Sequence, residues 1–313
     1  MSATPASGLP PTRSPRPGAG ARLPLGACAL GVVFALTGCA HGGHTASAPA
    51  PRPETSALPA DSATVAIWHM DETADTRVAD AGSFRLDGTA GIEARTGFGR
   101  YGRARVFTHA LDSFVLVPFD PALEPHSGFT VEAWVLPTSY GSYEDTPIAG
   151  RWTVDGNRES WLFSIVGRRQ IPPVVPRASP GDHAALTPRG STGALMFAFM
   201  PADAGSPRSY FSTQPVSLNR WSHVAATYDG TVVRLWINGV LDAQYASLGR
   251  IRSSGASLQI GNALDPRWLS RFGGDLRADQ ARDATPYYAF EGLIDELRIS
   301  SVARAGFEYA RGR

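Results

Sequence analysis

Asp295 is the residue whose type and position most clearly indicate a site. It lies in the run Leu293-Ile-Asp-Glu-Leu-Arg-Ile299. Strand-like alternation puts its side chain on the same face as Leu293, Leu297 and Ile299. A carboxylate that faces an apolar core is costly unless it is paired or bound to a metal. Two readings stay open: a calcium ligand, because calcium takes oxygen ligands from acids and loops, or a metal-free carboxylate that caps backbone N–H groups.

Aromatic residues in two polar stretches are candidate sugar-binding residues. The rings of aromatic side chains pack on the apolar faces of sugars, and Tyr or Trp adds a hydrogen bond. The alternative is that these rings cover an edge of the fold, as aromatic residues usually do. The candidates are Trp268, Phe272, Tyr287 and Tyr288 in the long segment 266–289, and Tyr140 and Trp152 in the other stretch.

A glycine motif in this chain has the spacing of a nucleotide-binding loop. The run Gly97-Phe-Gly-Arg-Tyr-Gly102 fits G-x-G-x-x-G, a fingerprint that requires a helix after the loop to hold a pyrophosphate. Here a strand pattern follows at 104–107. We therefore interpret the glycines as turn residues and exclude a dinucleotide.

The elements that position these residues are strands. In Phe129-Thr-Val-Glu-Ala-Trp-Val135 the apolar residues alternate with period two. Asp229-Gly230 and Asn238-Gly239 separate three such runs and predict two hairpins. Many short strands with Gly and Pro turns predict an all-β, two-sheet antiparallel sandwich. The predicted strands cover 64–69, 104–107, 114–117, 129–135, 161–166, 195–199, 223–228, 231–237, 240–245, 258–260 and 292–299.

Six motifs in order give the chain a specific resemblance. They are Trp68-His-Met-Asp-Glu72, Phe129–Val135, Arg220-Trp-Ser-His-Val-Ala-Ala-Thr-Tyr-Asp-Gly230, Leu235-Trp-Ile-Asn-Gly239, Leu258-Gln-Ile-Gly261 and Phe290-Glu-Gly-Leu-Ile-Asp-Glu-Leu-Arg-Ile299. Together they resemble the laminin-G-like jelly rolls of the concanavalin A-like lectin/glucanase superfamily. The resemblance implies two curved sheets whose first and last strands are adjacent.

The resemblance also implies a structural calcium site. In that superfamily a calcium ion often bridges an acid on the final strand and groups near the N-terminus. On this chain the final-strand acid is Asp295, the N-terminal candidate is Asp71, and Asp80 is a weaker one.

Catalytic patterns are missing from the sequence, so we expect a protein that is not an enzyme. Glucanases of the superfamily carry E-x-D-x-x-E on one strand, because hydrolysis needs two acids at close spacing. The chain has no such run, no G-x-S-x-G and no H-E-x-x-H.

The N-terminal region predicts export and lipidation. Arg13, Arg16 and Arg22 precede an apolar run over 23–36, and Leu36-Thr-Gly-Cys39 follows. This order is that of a signal peptide, and its end resembles a bacterial lipobox that acylates Cys39. We therefore predict a signal peptide over 1–38, a disordered tether over 39–61, a β-sandwich over 62–305 and a tail over 306–313.

These features together predict a non-catalytic binding module, lipid-anchored at the cell envelope. Both cysteines, Cys28 and Cys39, precede the folded region, and the formal net charge is +1. The cysteines exclude an internal disulfide there, and the charge argues against nucleic acid. The expected partner is carbohydrate. A surface protein is the alternative, a glycosidase or polysaccharide lyase is a weaker one, and we expect a monomer.

Overall fold

The computed structural model describes residues 58–73, 76–110, 112–126, 128–141, 145–152, 158–168, 190–263 and 289–310. Sixteen strands lie in these ranges: β1 Thr64–Trp68, β2 Arg77–Val78, β3 Gly88–Ala90, β4 Arg95–Phe98, β5 Arg103–Phe107, β6 Val115–Val117, β7 Phe129–Pro137, β8 Asp145–Arg151, β9 Trp161–Val166, β10 Ala194–Phe199, β11 Arg208–Pro215, β12 Ser222–Tyr228, β13 Val232–Ile237, β14 Val240–Ala246, β15 Leu258–Ile260 and β16 Gly292–Ser300. Short 3₁₀ turns span Pro121–Leu123 and Glu308–Ala310.

The strands form two antiparallel sheets of eight, which confirms the predicted sandwich. Sheet A has the order β14-β13-β12-β7-β16-β5-β4, with β1 also paired to β16. Sheet B has the order β11-β10-β9-β8-β15-β6-β3-β2. The pairing of β1 with β16 joins the first and last strands, as the resemblance implied.

The core lies between the two sheets and follows the alternation read from the sequence. In β7, Phe129, Val131, Ala133 and Val135 belong to the central apolar cluster. The residues between them point away from sheet B, because successive side chains of a strand face opposite sides. Sheet A therefore has an outer face, and Glu132 and Trp134 lie on it.

Both predicted hairpins are present, and their turns differ. Asn238 and Gly239 both have positive φ, 50° and 71°, as a type I′ turn requires. In the other turn Gly230 has φ 90°, and the Asp229 carboxylate accepts hydrogen bonds from the amides of Thr231 and Val232. A side-chain cap thus replaces the second positive φ in that turn.

The domain extends beyond both boundaries that the sequence predicted. Leu58 and Asp61 fall within the predicted tether. Leu58 is nevertheless fully buried, and Asp61 accepts hydrogen bonds from Arg304. Phe307 is also fully buried, although 306–313 was assigned to a tail. The tether and tail predictions are wrong at these residues, because each end of the domain packs against the other.

Within the described residues no helix is both long and apolar enough to span a membrane.

Candidate functional site

The candidate site is built on an irregularity in strand β16. Its pairing with β7 changes register between Asp295 and Arg298, and Glu296 has φ 52°. This is a β-bulge, in which an extra residue interrupts the alternation. Ile294 and Leu297 both face the core, three positions apart. The prediction that Asp295 shares the core face with Leu297 is therefore wrong, because the bulge moves Asp295 to the outer face.

Asp295 is nevertheless fully buried. Its Oδ2 accepts a hydrogen bond from the Tyr101 amide at 3.0 Å, whereas Oδ1 has no hydrogen-bond partner in the structure described here. The pKa of Asp295 is raised to about 8, mainly by burial; the neighbouring Glu296 and Asp71 add to this rise, and hydrogen bonds from the backbone amides of Tyr101 and Arg100 oppose it. The carboxyl is therefore mostly protonated at neutral pH.

The turn at residues 99–102 lies against the carboxylates of Asp295 and Asp71. It can approach them closely because two of its residues are glycines. A Cβ on Gly99 would lie 2.7 Å from Asp295 Oδ2 and 2.2 Å from the Arg103 carbonyl oxygen. Gly102 has φ 58°, and its Cβ would lie 2.2 Å from Asp71 Oδ1. The motif that the sequence analysis interpreted as turn residues thus also makes room for two acids.

Two polar residues after β1 face the same turn and the bulge. Asp71 is exposed, and its Oδ1 accepts a hydrogen bond from the Arg103 amide at 2.7 Å. His69 is partly exposed, and its Nδ1 lies 2.9 Å from Glu296 Oε2. The hydrogen bond with Glu296 raises the pKa of His69, so His69 stays protonated to a higher pH than an isolated histidine.

An exposed aromatic residue lies directly before this turn, and an exposed cationic residue lies within it. Phe98, the last residue of β4, is 89% exposed. The exposed Arg100 guanidinium lies 5.0 Å from the ring centre of Tyr101 and 4.9 Å from that of Trp134. Contact with two aromatic rings holds Arg100 by cation–π attraction. We call this set the rim site: His69, Asp71, Phe98, Arg100, Asp295 and Glu296.

The three acids that the resemblance assigned to calcium, Asp71, Asp80 and Asp295, do not form a cluster of metal ligands in the described residues. Calcium takes about 6–8 oxygen ligands. Among the described residues, no group of three or more His, Cys, Asp or Glu could hold a metal. Asp80 is buried, and its two oxygens accept hydrogen bonds from the amides of Ile67, Gly82 and Leu86 at 2.7–2.8 Å. Asp80 is thus a turn cap, whereas Oδ1 of Asp295 has no hydrogen-bond partner among the described residues.

Of the six predicted sugar-binding aromatics, Tyr140 and Trp152 lie among the described residues. Tyr140 packs against the core, and its hydroxyl donates to the Val216 carbonyl at 2.6 Å. Trp152 is only 2% exposed within a second apolar cluster, so its ring faces are covered, and at this position a sugar-stacking role is wrong. Trp268, Phe272, Tyr287 and Tyr288 lie outside the described residues, as does Cys39.

The structure contains a second buried ionisable group that the sequence motifs did not reveal. Glu132 is fully buried on the outer face of sheet A, where it pairs with Arg298 at 2.6 Å and with His223 at 2.9 Å. Alternation alone places all three side chains on that face, since each follows or precedes a core residue. The signal was present in the motifs, but an isolated polar position in a strand does not reveal its partner.

Comparison with known proteins agrees with this architecture. A family model described as the concanavalin A-like lectin/glucanases superfamily matches residues 108–306. No curated protein sequence matches the chain.

Three solved structures are similar to this chain. The first is domain 4 of AbnA, a GH43 extracellular arabinanase from Geobacillus stearothermophilus in complex with arabinotriose. It has a TM-score of 0.50 at 20% identity, over 79% of this chain and 96% of that one. The binding domain of Paraclostridial Mosquitocidal Protein 1 has a TM-score of 0.51 at 12% identity, over 76% and 48%. The receptor-binding domain of botulinum neurotoxin type G has 0.51 at 15%, over 80% and 50%.

The buried Asp295 predicts a specific pH dependence. Its pKa is raised on folding to about 8, so the folded state binds a proton that the unfolded state has lost. The free energy of unfolding should therefore fall as pH rises from about 4 to 8, by at most about 1.4 kcal/mol per pH unit. Asp295→Asn should remove this contribution, so that the variant gains stability relative to the wild type with rising pH. Urea unfolding at pH 5, 6, 7 and 8 measures the difference.

A difference between the two proteins that stays constant over this pH range would contradict a proton on Asp295. Repeating the series with added calcium tests the metal reading on the same pair. If calcium binds Asp295, it stabilises the wild type and leaves Asp295→Asn unchanged.

Proposed function

Because the chain belongs to the concanavalin A-like lectin/glucanase superfamily, through a laminin-G-like family, we propose that it is a non-catalytic carbohydrate-binding module. The superfamily fold is used by proteins of many functions, so the proposal depends on the site. The rim site is the part of the described structure that supports it best.

The exposed ring of Phe98 is the observation that carries the proposal. A phenyl ring that is 89% exposed makes little contribution to the core, whereas an apolar ring of this kind suits the C–H face of a sugar. The same turn contains the exposed Arg100. Directly after the turn, the Arg103 amide donates a hydrogen bond to the exposed Asp71. An apolar platform flanked by a few fixed polar groups is the usual composition of a small-ligand site.

The accessibility of the acids supports a binding role in preference to hydrolysis. A glycosidase needs two carboxyl groups that reach one glycosidic bond. Asp295 has the pKa of a general acid, but it and Glu132 are fully buried. Asp295 cannot contact a substrate from this position, and Glu132 is covered by Tyr309, which supports a module that binds without turnover.

A surface protein is the second candidate ligand. Ile92 is 73% exposed and Phe84 is 57% exposed. Phe84 lies between β2 and β3, and Ile92 lies between β3 and β4, the strand that ends at Phe98. Exposed apolar side chains of this size also suit a protein interface. Competition by free sugar separates the two candidates, since a protein partner would remain bound.

Phe98→Ala should weaken glycan binding by about fivefold or more, because one ring–sugar contact is worth about 1 kcal/mol. The measurement is a glycan array with the wild type, followed by titration of its strongest ligand against both proteins. Leu248→Ala is the matched control, since Leu248 is 70% exposed and lies outside the rim site. Equal affinity of Phe98→Ala and the wild type for that ligand would sink the assignment of the rim site.

We also propose a lipid anchor at Cys39, on the sequence pattern alone. The N-terminal segment would then tether the domain to the cell envelope, with the membrane contacted only through the lipid. Cys39→Ala should move the protein from the detergent phase to the aqueous phase of a Triton X-114 partition. Wild-type protein that partitions to the aqueous phase, or a variant that stays with the detergent, would contradict the anchor.

A further inference from the structure

The last described residues form a strap across the outer face of sheet A. The strap is residues 301–310, which follow β16. Near its start, Thr130 Oγ1 donates to the Val302 carbonyl at 2.6 Å and accepts from the Arg304 amide at 2.9 Å. Phe307, farther along, is fully buried. The strap is therefore fixed at its beginning and middle.

Beneath the strap, Glu132 and Arg298 present an acceptor and a donor side by side. Arg298 donates to Glu132 Oε1 through Nε at 2.8 Å and through Nη2 at 2.6 Å. His223 Nε2 lies 2.9 Å from the other carboxylate oxygen, Oε2. The carboxylate thus has two partners within the sheet, so its charge is compensated without any residue of the strap.

The Tyr309 hydroxyl occupies the position between these two groups. It donates to Glu132 Oε2 and accepts from Arg298 Nη2 at 3.0 Å. A hydroxyl held between a carboxylate and a guanidinium has the bonding pattern by which charged side chains bind a sugar hydroxyl. The ring of Phe307 lies next to it, 5.3 Å from that of Trp236 and 5.2 Å from that of His223, and adds the apolar surface that sugar sites also contain.

Near the end of the strap, Tyr309 is more accessible than the buried Phe307 and Ala310. Tyr309 is 41% exposed and belongs to a three-residue 3₁₀ turn. Short turns at the margin of a domain open at low free-energy cost. When Tyr309 leaves, Glu132 keeps Arg298 and His223, and Phe307 remains packed. Opening therefore uncovers the position between Glu132 and Arg298, which we call the seat. It leaves no buried charge unpaired.

We propose that the seat between Glu132 and Arg298 is a second binding site for a carbohydrate hydroxyl, and that Tyr309 occupies it in the absence of ligand. Tyr309 then competes with the ligand, so the strap is self-inhibitory. This seat is separate from the rim site, and the proposal does not depend on the rim site binding sugar.

Tyr309→Ala tests the competition, with arabinotriose and cellotriose as probes in calorimetric titrations of the full chain. We expect the variant to bind one of these probes about tenfold more tightly than the wild type, since one hydrogen bond to a charged group is gained. Tyr309→Phe keeps the ring over the seat and should show no such gain. Adding Glu132→Gln to Tyr309→Ala should abolish the gain, while adding Phe98→Ala should leave it.

A folded Tyr309→Ala with wild-type affinity for both trisaccharides would overturn the proposal. A gain that survives Glu132→Gln would overturn it as well, because the sugar would then lie elsewhere. Circular dichroism and thermal unfolding establish that each variant is folded. Hydrogen exchange gives a check without substitution: a saturating probe should speed exchange of the amides at 308–310 in the wild type, and unchanged exchange there would also contradict the competition.

Discussion

The structure depends on burying charge in the middle of a sheet. Strand β16 is hydrogen-bonded to β7, β5 and β1, and Asp295, Glu296 and Arg298 on it are all at most 2% exposed. A buried ionisable group is tolerated only with a partner or in its neutral form. Each of these three side chains must therefore meet another part of the chain, and the domain closes only when those parts are in place.

The partners come from both ends of the domain, which explains why its boundaries lie outside the predicted ones. Arg298 donates to Glu132 and to the Pro59 carbonyl. Glu296 pairs with His69, and Asp295 accepts from the turn at Tyr101. The bulge at Glu296 separates the two functional proposals along one strand, with the rim site on the turn side and the strap on the side of Arg298. Both are consequences of where the central strand places its charges.

The sequence predicts the fold well because alternation is a local property. It marks β9 and β15 at their observed bounds, and it places both hairpins. It misses β8, Asp145–Arg151, because Pro147 and Gly150 are residues typical of turns. The strand accommodates Pro147 at a bulge. The sequence also misses β11 because that strand lies at the edge of sheet B, where five of its eight residues are polar.

The sites are harder to predict, because a partner in space leaves no trace in a single sequence. The sequence identifies Asp295 as a buried acid, but it predicts the wrong face of the strand for this residue, because one bulge shifts the alternation. The exposure of Phe98 and the seat of Tyr309 depend on how distant segments pack, and period and spacing do not report that. The strand that the sequence predicts after the glycine motif is present as β5, but the close approach of the motif to Asp71 and Asp295 appears only in three dimensions.

The pairing of Glu132 with Arg298 tests this account most directly, through a double-mutant cycle on unfolding free energy. We expect Glu132→Gln and Arg298→Met each to destabilise the domain by about 3 kcal/mol or more, because the first removes the carboxylate that pairs with the buried Arg298 and the second removes the guanidinium that pairs with the buried Glu132. The double variant should lose much less than the sum, with a coupling energy of about 2 kcal/mol. Additive losses would show that the two charges do not depend on each other and would contradict the view that ionic partners close this fold.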